Sequence, residues 1–259
     1  MDLGLNGRKA IVCASSRGLG KGCAMALAQA GCEVVVNGRD QEILAATASE
    51  IREATGVIVR EVAADVSTAD GQRELLEACP EPDILVNNNG GPPRKDFRRL
   101  DRAAMVDGVV QNMVTPVELI QSVIDGMSER RFGRIVNITS LSVYMPIEGL
   151  DLYSGARAGL TAFLAGVART VAHRNVTING LLPGKMDTDR LRSGFKFGAD
   201  AKGTTPEEEA VSQRDVIPAK RFGTPEEFGQ ACAFLCSAHA GYITGQNIKL
   251  DGGLYPSAF

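Results

Sequence analysis

Residues 10–31 read Ala-Ile-Val-Cys-Ala-Ser-Ser-Arg-Gly-Leu-Gly-Lys-Gly-Cys-Ala-Met-Ala-Leu-Ala-Gln-Ala-Gly. A short apolar run predicts a strand over Ala10–Ala14, and a helix over Gly18–Ala30 follows the turn directly. Leu19, Cys23, Ala26, Leu27 and Ala30 share one face of that helix, and Gly31 stops it. Glycine where backbone must approach a pyrophosphate, placed at a helix N-terminus, makes an anion site from N–H groups and the helix dipole. Ala14, Ser16, Arg17, Gly18, Leu19 and Gly20 are therefore candidate phosphate contacts. A ligand-free βα turn shows the same glycines, but a place in the first βαβ unit favours a dinucleotide.

Working outward, β-rich runs alternate with longer amphipathic stretches, the pattern of βαβ units feeding a parallel sheet. Further strands are expected at Glu33–Asn37, Val57–Ala63, Ile84–Asn87, Arg134–Thr139, Thr177–Leu182 and Asn247–Leu250. Long helices are expected at Asp101–Arg130 and Tyr153–His173. The fold class is α/β: a Rossmann-like, doubly wound, seven-stranded parallel sheet flanked by helices. No linker, repeat or low-complexity tract divides residues 1–259, so one domain is expected. From Gly184 to about Pro218 periodicity is weak among glycines, charges and prolines, which predicts a mobile lid or binding loop.

The end of the second strand selects the dinucleotide. NAD binders place an Asp or Glu there to accept from the ribose hydroxyls. Here the chain reads Val36-Asn37-Gly38-Arg39, with no acid before Asp40. Arg39 and Arg17 together suit a 2′-phosphate, which predicts NADP(H).

Four further features follow in order: Asn87-Asn88-Asn89-Gly90, Asn112, Ser140 and Tyr153-Ser154-Gly155-Ala156-Arg157. With Asp65-Val66, Pro183-Gly184, Thr188 and the closing Asp251-Gly252-Gly253, they resemble the short-chain dehydrogenase/reductase superfamily nearly end to end. The likeness is closest to a divergent branch similar to β-ketoacyl-acyl-carrier-protein reductases. It implies an NADP-dependent enzyme interconverting a ketone, β-ketoacyl-like or a small carbonyl compound, with a secondary alcohol. Tyr153 would be the general acid, Ser140 would orient the carbonyl oxygen, and Asn112 would hold a relay water. Asp65 would touch the adenine, Asn87 the adenosine ribose and Thr188 the carboxamide or pyrophosphate, with Val66, Asn88, Gly90, Pro183 and Gly184 as further cofactor contacts. The resemblance also implies a homotetramer or homodimer through the two long helices.

Departures from the family pattern carry information too. The family has Lys four residues after the tyrosine, where this chain has Arg157. One helical turn from Tyr153, arginine supplies charge and can donate to ribose hydroxyls, but it cannot pass a proton. Cys13-Ala14 replaces the usual Thr-Gly, and Ala14 must keep φ negative or accept strain. The alternative from another class is a cofactor-binding sensor or pseudoenzyme with little turnover, in which Arg157 marks lost chemistry.

Composition excludes other classes. Apolar residues make up 44% of the chain, charged residues 23%, and the net charge is −3, which gives no field for nucleic acid or a membrane surface. Six cysteines without a CxxC pair, beside two histidines, argue against zinc and for a reducing, cytoplasmic setting. Arg94-Lys95, Arg98-Arg99, Arg190, Arg192 and Lys196 would suit an anionic substrate if they face it, and solvated surface if they do not. Arg131 and Arg174 stand where carrier-protein reductases dock their acidic partner.

Overall fold

The computed structural model describes residues 1–91 and 94–257, so the Pro92-Pro93 pair lies outside the described residues. Its first half runs β1 (Lys9–Val12), α1 (Gly18–Gln29), β2 (Glu33–Gly38), α2 (Gln41–Thr55), β3 (Val59–Ala63), α3 (Ala69–Ala78) and β4 (Ile84–Asn87). Then come α4 (Arg102–Val109), a π-helical turn (Val110–Val114), α5 (Thr115–Glu129), β5 (Gly133–Ile138), α6 (Asp151–Val171) and β6 (Val176–Pro183). The chain closes with α7 (Asp189–Lys202), α8 (Pro206–Asp215), α9 (Pro225–Cys236) and β7 (Asn247–Leu250).

The strands form one seven-stranded sheet in the order β3-β2-β1-β4-β5-β6-β7. All of its pairings are parallel. The central strands β1, β2, β4, β5 and β6 are buried on both faces because helices cover both, while the edge strands β3 and β7 carry polar residues and are partly exposed. Within β1, Ala10 and Val12 join a core with α1, α2 and α9, while Ile11 joins a second core with α3, α5 and α6. Chain direction across the sheet reverses between β1 and β4, and the crevice at the carboxyl ends of those strands is where ligands bind in such sheets. All six cysteines are buried and unpaired, Cys232 and Cys236 packing α9 into the first core.

The strand expectations hold to within one or two residues at each end. Two helical expectations need correction. The helix expected over Asp101–Arg130 is interrupted at Val110–Val114, where the Thr115 N–H bonds Val110 O, five residues back. Pro116, which has no N–H to give Asn112 O, sits just past this turn, where the helix widens from i→i−4 to i→i−5 bonding. The segment after Gly184, expected to lack regular structure, forms α7 and α8. Leu191, Phe195 and Ala199 make a narrow apolar stripe on α7, with Phe195 and Ala199 buried. Thr205 and Glu208 close a capping box at the start of α8, as Thr224 and Glu227 do for α9.

Candidate active site

The glycine turn is pinned from two sides. Ala14 N–H donates to Asn37 Oδ1 (3.0 Å), and Ala14 O accepts from Asn88 Nδ2 (3.1 Å). These bonds hold Ala14 at φ +44°, the left-handed region that its methyl disfavours. α1 begins with no side-chain cap and no acid in its first turn, so its dipole and leading N–H groups are left for an anion. Gly20 must be glycine, since a Cβ there would lie 2.3 Å from Ala14 O. Across the opening, a Cβ on Gly18 would meet Thr188 Cγ2 at 3.6 Å, so the α7 N-terminus faces the turn. Gly184, just past Pro183 at the end of β6, donates its N–H to Leu250 O (2.9 Å).

The end of β2 has no place for an acid. A Cβ on Gly38 would lie 2.9 Å from the Ser16 Cβ, and the nearby Asp40 carboxylate caps α2 by accepting from Glu42 and Ile43 N–H. Arg39 and Arg17 are both exposed at this corner. Arg39 Nη1 lies 3.9 Å from Asp65 Oδ2, a loose pair that a phosphate can displace. Asp65 Oδ1 accepts from Ser67 Oγ (2.6 Å) and Ser67 N (2.9 Å), which holds its carboxyl below the usual carboxylate range. These residues fit a dinucleotide carrying a 2′-phosphate. Val66 and Asn87 are 3% exposed, and the Asn87 amide donates inward to Asn137 Oδ1 (3.0 Å) and Pro116 O (3.3 Å), which leaves their backbone as the part nearer a ligand. Gly90 is exposed on the rim and donates to Asn89 Oδ1 (2.8 Å).

Tyr153 lies half-buried in the first turn of α6, and Ser140 lies half-buried just beyond the end of β5. Arg157 connects their two elements. Its Nη1 donates to Ile138 O (2.6 Å) and to Thr139 O, the carbonyls of the two residues before Ser140. Nε donates to Asn112 Oδ1 (3.3 Å) and Nη2 to Asn89 O (3.4 Å), while Cζ stacks 4.1 Å from the Tyr153 ring centroid. Burial lowers the Arg157 pKa and the Tyr153 phenol opposes that, but a guanidinium stays charged. The sequence expectation of ribose donation shrinks accordingly, because the guanidinium is largely spent on the protein. Asn112 also donates Nδ2 to Gly108 O (3.1 Å), so both polar atoms of its side chain are engaged. Asn87, Asn112, Asn137 and Arg157 line a small polar cavity beside the site, in which Asn87 Oδ1 and Asn137 Nδ2 have no partner. The π turn and the Arg157 clasp escaped sequence reading, although Pro116 four residues after Asn112 signals the first.

The basic residues divide. Arg94, Lys95, Arg98, Arg99, Lys196, Arg131 and Arg174 are exposed. Arg98 pairs with Asp96, and Arg192 pairs with Asp187 (3.0 Å) and Asp189 (3.6 Å). Arg190 reaches over Tyr153, its Cζ 5.7 Å from the ring centroid.

Residues 13–255 match the family model described as Enoyl-(Acyl carrier protein) reductase. The chain is 32% identical over 259 residues to a 3-oxoacyl-[acyl-carrier-protein] reductase of Aquifex aeolicus, covering 98% of this chain and 100% of the relative. Its fold is similar to L-sorbose reductase of Gluconobacter frateurii, solved with NADPH and L-sorbose (TM-score 0.93, 29% identity, 99% of this chain and 100% of that one). It is also similar to an Agrobacterium tumefaciens 3-oxoacyl (acyl-carrier-protein) reductase with NADP bound (TM-score 0.86, 33% identity, 97% and 95% covered). The non-catalytic alternative finds no support among these relatives. A pinned glycine turn, an acid-free β2 end and a tyrosine clasped against the β5 terminus agree with that company, and the chain belongs to the short-chain dehydrogenase/reductase superfamily of NAD(P)-dependent oxidoreductases, as a β-ketoacyl-acyl-carrier-protein-reductase-like member.

Proposed function

We propose that this chain reduces a ketone, β-ketoacyl-like or a small carbonyl compound, to a secondary alcohol with NADPH. The observation that carries the reading is the Arg157 clasp: the residue one turn from Tyr153 is bonded to the two carbonyls that precede Ser140. That bond ties α6, which carries Tyr153, to the end of β5, which leads into Ser140. Bound NADPH supplies a hydride to the carbonyl carbon. Tyr153 gives its phenolic proton to the carbonyl oxygen, and Ser140 donates a hydrogen bond that orients that oxygen. Arg157 contributes fixed positive charge beside the phenol and holds it in place. With the Asn112 amide occupied, the polar cavity beside it is the place for a water that returns the proton.

Arg17 and Arg39 hold the 2′-phosphate, the α1 N-terminus and Ser16 the pyrophosphate, and Thr188 the far side of the cofactor. Exposed Val106 and Val109 on α4, Val114 in the π turn and Phe163 on α6 support assembly into a homotetramer or homodimer through those helices. No helix among the described residues is long and apolar enough to cross a membrane, and a cytoplasmic setting accords with six unpaired thiols.

Fluorescence titration should give NADPH at least about tenfold tighter binding than NADH, the value of one good charge-assisted contact. NADPH oxidation against a panel of ketones and β-ketoesters should then identify a turned-over carbonyl. Equal affinities would overturn the cofactor choice. Firm NADPH binding with no carbonyl reduced would overturn the reductase reading.

A further inference from the structure

Arg190, in the first turn of α7, is an exposed guanidinium placed against the reacting phenol. Its Nη1 donates to Gly91 O (3.2 Å), which ties α7 to the loop after β4. A Cβ on Gly91 would lie 2.6 Å from both Arg190 Nη2 and Tyr153 Cε2. Glycine at 91 therefore leaves the space that lets the guanidinium and the Tyr153 ring approach the same point of the loop after β4. The neighbouring arginine of α7, Arg192, has its carboxylates in Asp187 and Asp189. Arg190 has none within ion-pair reach among the described residues. Arg157, 4.1 Å from the same ring, also donates only to neutral groups. Two guanidinium groups thus flank one phenol with no protein anion between them, in a chain whose net charge is −3. Such a pocket favours a ligand that brings its own negative charge.

We infer that Arg190 is a specificity-determining residue that binds the carboxylate of the substrate, so that the carbonyl compound reduced at Tyr153 is a short keto acid. The inference rests on the reductase reading above and adds the substrate class to it. Because the Arg190 guanidinium lies 5.7 Å from the Tyr153 ring centroid, the carboxylate would lie only a few bonds from the carbonyl. A guanidinium can grip both carboxylate oxygens, fixing the orientation of the carbonyl toward Tyr153 as well as adding affinity.

Pyruvate against methyl pyruvate, and acetoacetate against methyl acetoacetate, keep the carbonyl and remove the charge. With NADPH, the parent should favour the acid of at least one pair in kcat/KM by about 10- to 100-fold, as expected of a charge-assisted hydrogen bond. Arg190→Met should bring that acid-to-ester ratio to within about threefold of one, Arg190→Lys should keep part of it, and NADPH affinity should stay within about twofold. Esters used as well as acids by the parent, an unchanged ratio in Arg190→Met, or a loss confined to NADPH affinity would each overturn the assignment. Calorimetric titration of the same acids and esters into the protein with NADP+ separates this claim from the reductase reading. Acid binding that Arg190→Met removes supports the carboxylate site even without turnover, and acid binding no tighter than ester binding refutes it.

Discussion

Ala14 and Arg157 show how single residues carry this site. Ala14 is held at φ +44° because Asn37 and Asn88 grip its N–H and carbonyl, which shapes the glycine turn at the expense of backbone strain. Ala14→Gly should therefore raise unfolding stability by about 0.5–1 kcal/mol in urea, the relief exceeding the entropy that glycine adds to the unfolded chain. A loss of stability would mean that the methyl packs usefully. Arg157 does more than replace the family lysine's charge, since its bonds to Ile138 and Thr139 join two elements. Arg157→Met should cost about 2–4 kcal/mol through orphaned buried carbonyls and should lower kcat. Arg157→Lys should cost less and keep or raise kcat, because lysine retains the charge and passes a proton. Stability of Arg157→Met equal to the parent would show that the clasp contributes nothing.

At the level of elements, legibility followed the strength of the local pattern. The buried apolar run of β4 was located to the residue from sequence, as was the edge strand β7, whose Asn247-Ile248-Lys249-Leu250 alternates polar and apolar residues. α7 was not, because Gly194, Gly198 and its charged residues hide the Leu191–Phe195–Ala199 stripe. α8 announces itself only through Thr205-Pro206-Glu207-Glu208, the same start signal as Thr224-Pro225-Glu226-Glu227 of α9. The order of the candidate residues was readable, but the direction of their side chains was not: Asn87 turns inward only because β5 brings Asn137 beside it. The N-terminus of α7 faces the glycine turn and the loop after β4, and α7 and α8 carry mostly exposed side chains, as expected of a lid that orders over its ligands. Hydrogen exchange should be faster in α7 and α8 than in α9 for the free protein, and should slow when NADPH binds. Exchange as slow as that of α9 without cofactor would make the pair a fixed wall.

For the whole molecule, the strand order brings the glycine turn of β1, the asparagine run of β4 and the serine of β5 to one edge of the sheet. Residues from the first and second halves of the sequence meet there. The charge is distributed unevenly as well. The net charge is −3, yet Arg17, Arg39, Arg157 and Arg190 gather along the proposed path from 2′-phosphate to carbonyl. Such a field draws in an anionic cofactor and an anionic substrate. All of this converges on one hydroxyl, and the most direct test is Tyr153→Phe, comparing NADPH oxidation with the best carbonyl of the panel and NADPH affinity on the same preparations. With Tyr153 as proton donor, turnover falls by about 100-fold or more while NADPH affinity stays within about twofold, since phosphate contacts elsewhere supply that affinity. Turnover within about tenfold of the parent would contradict it and assign the proton to another group.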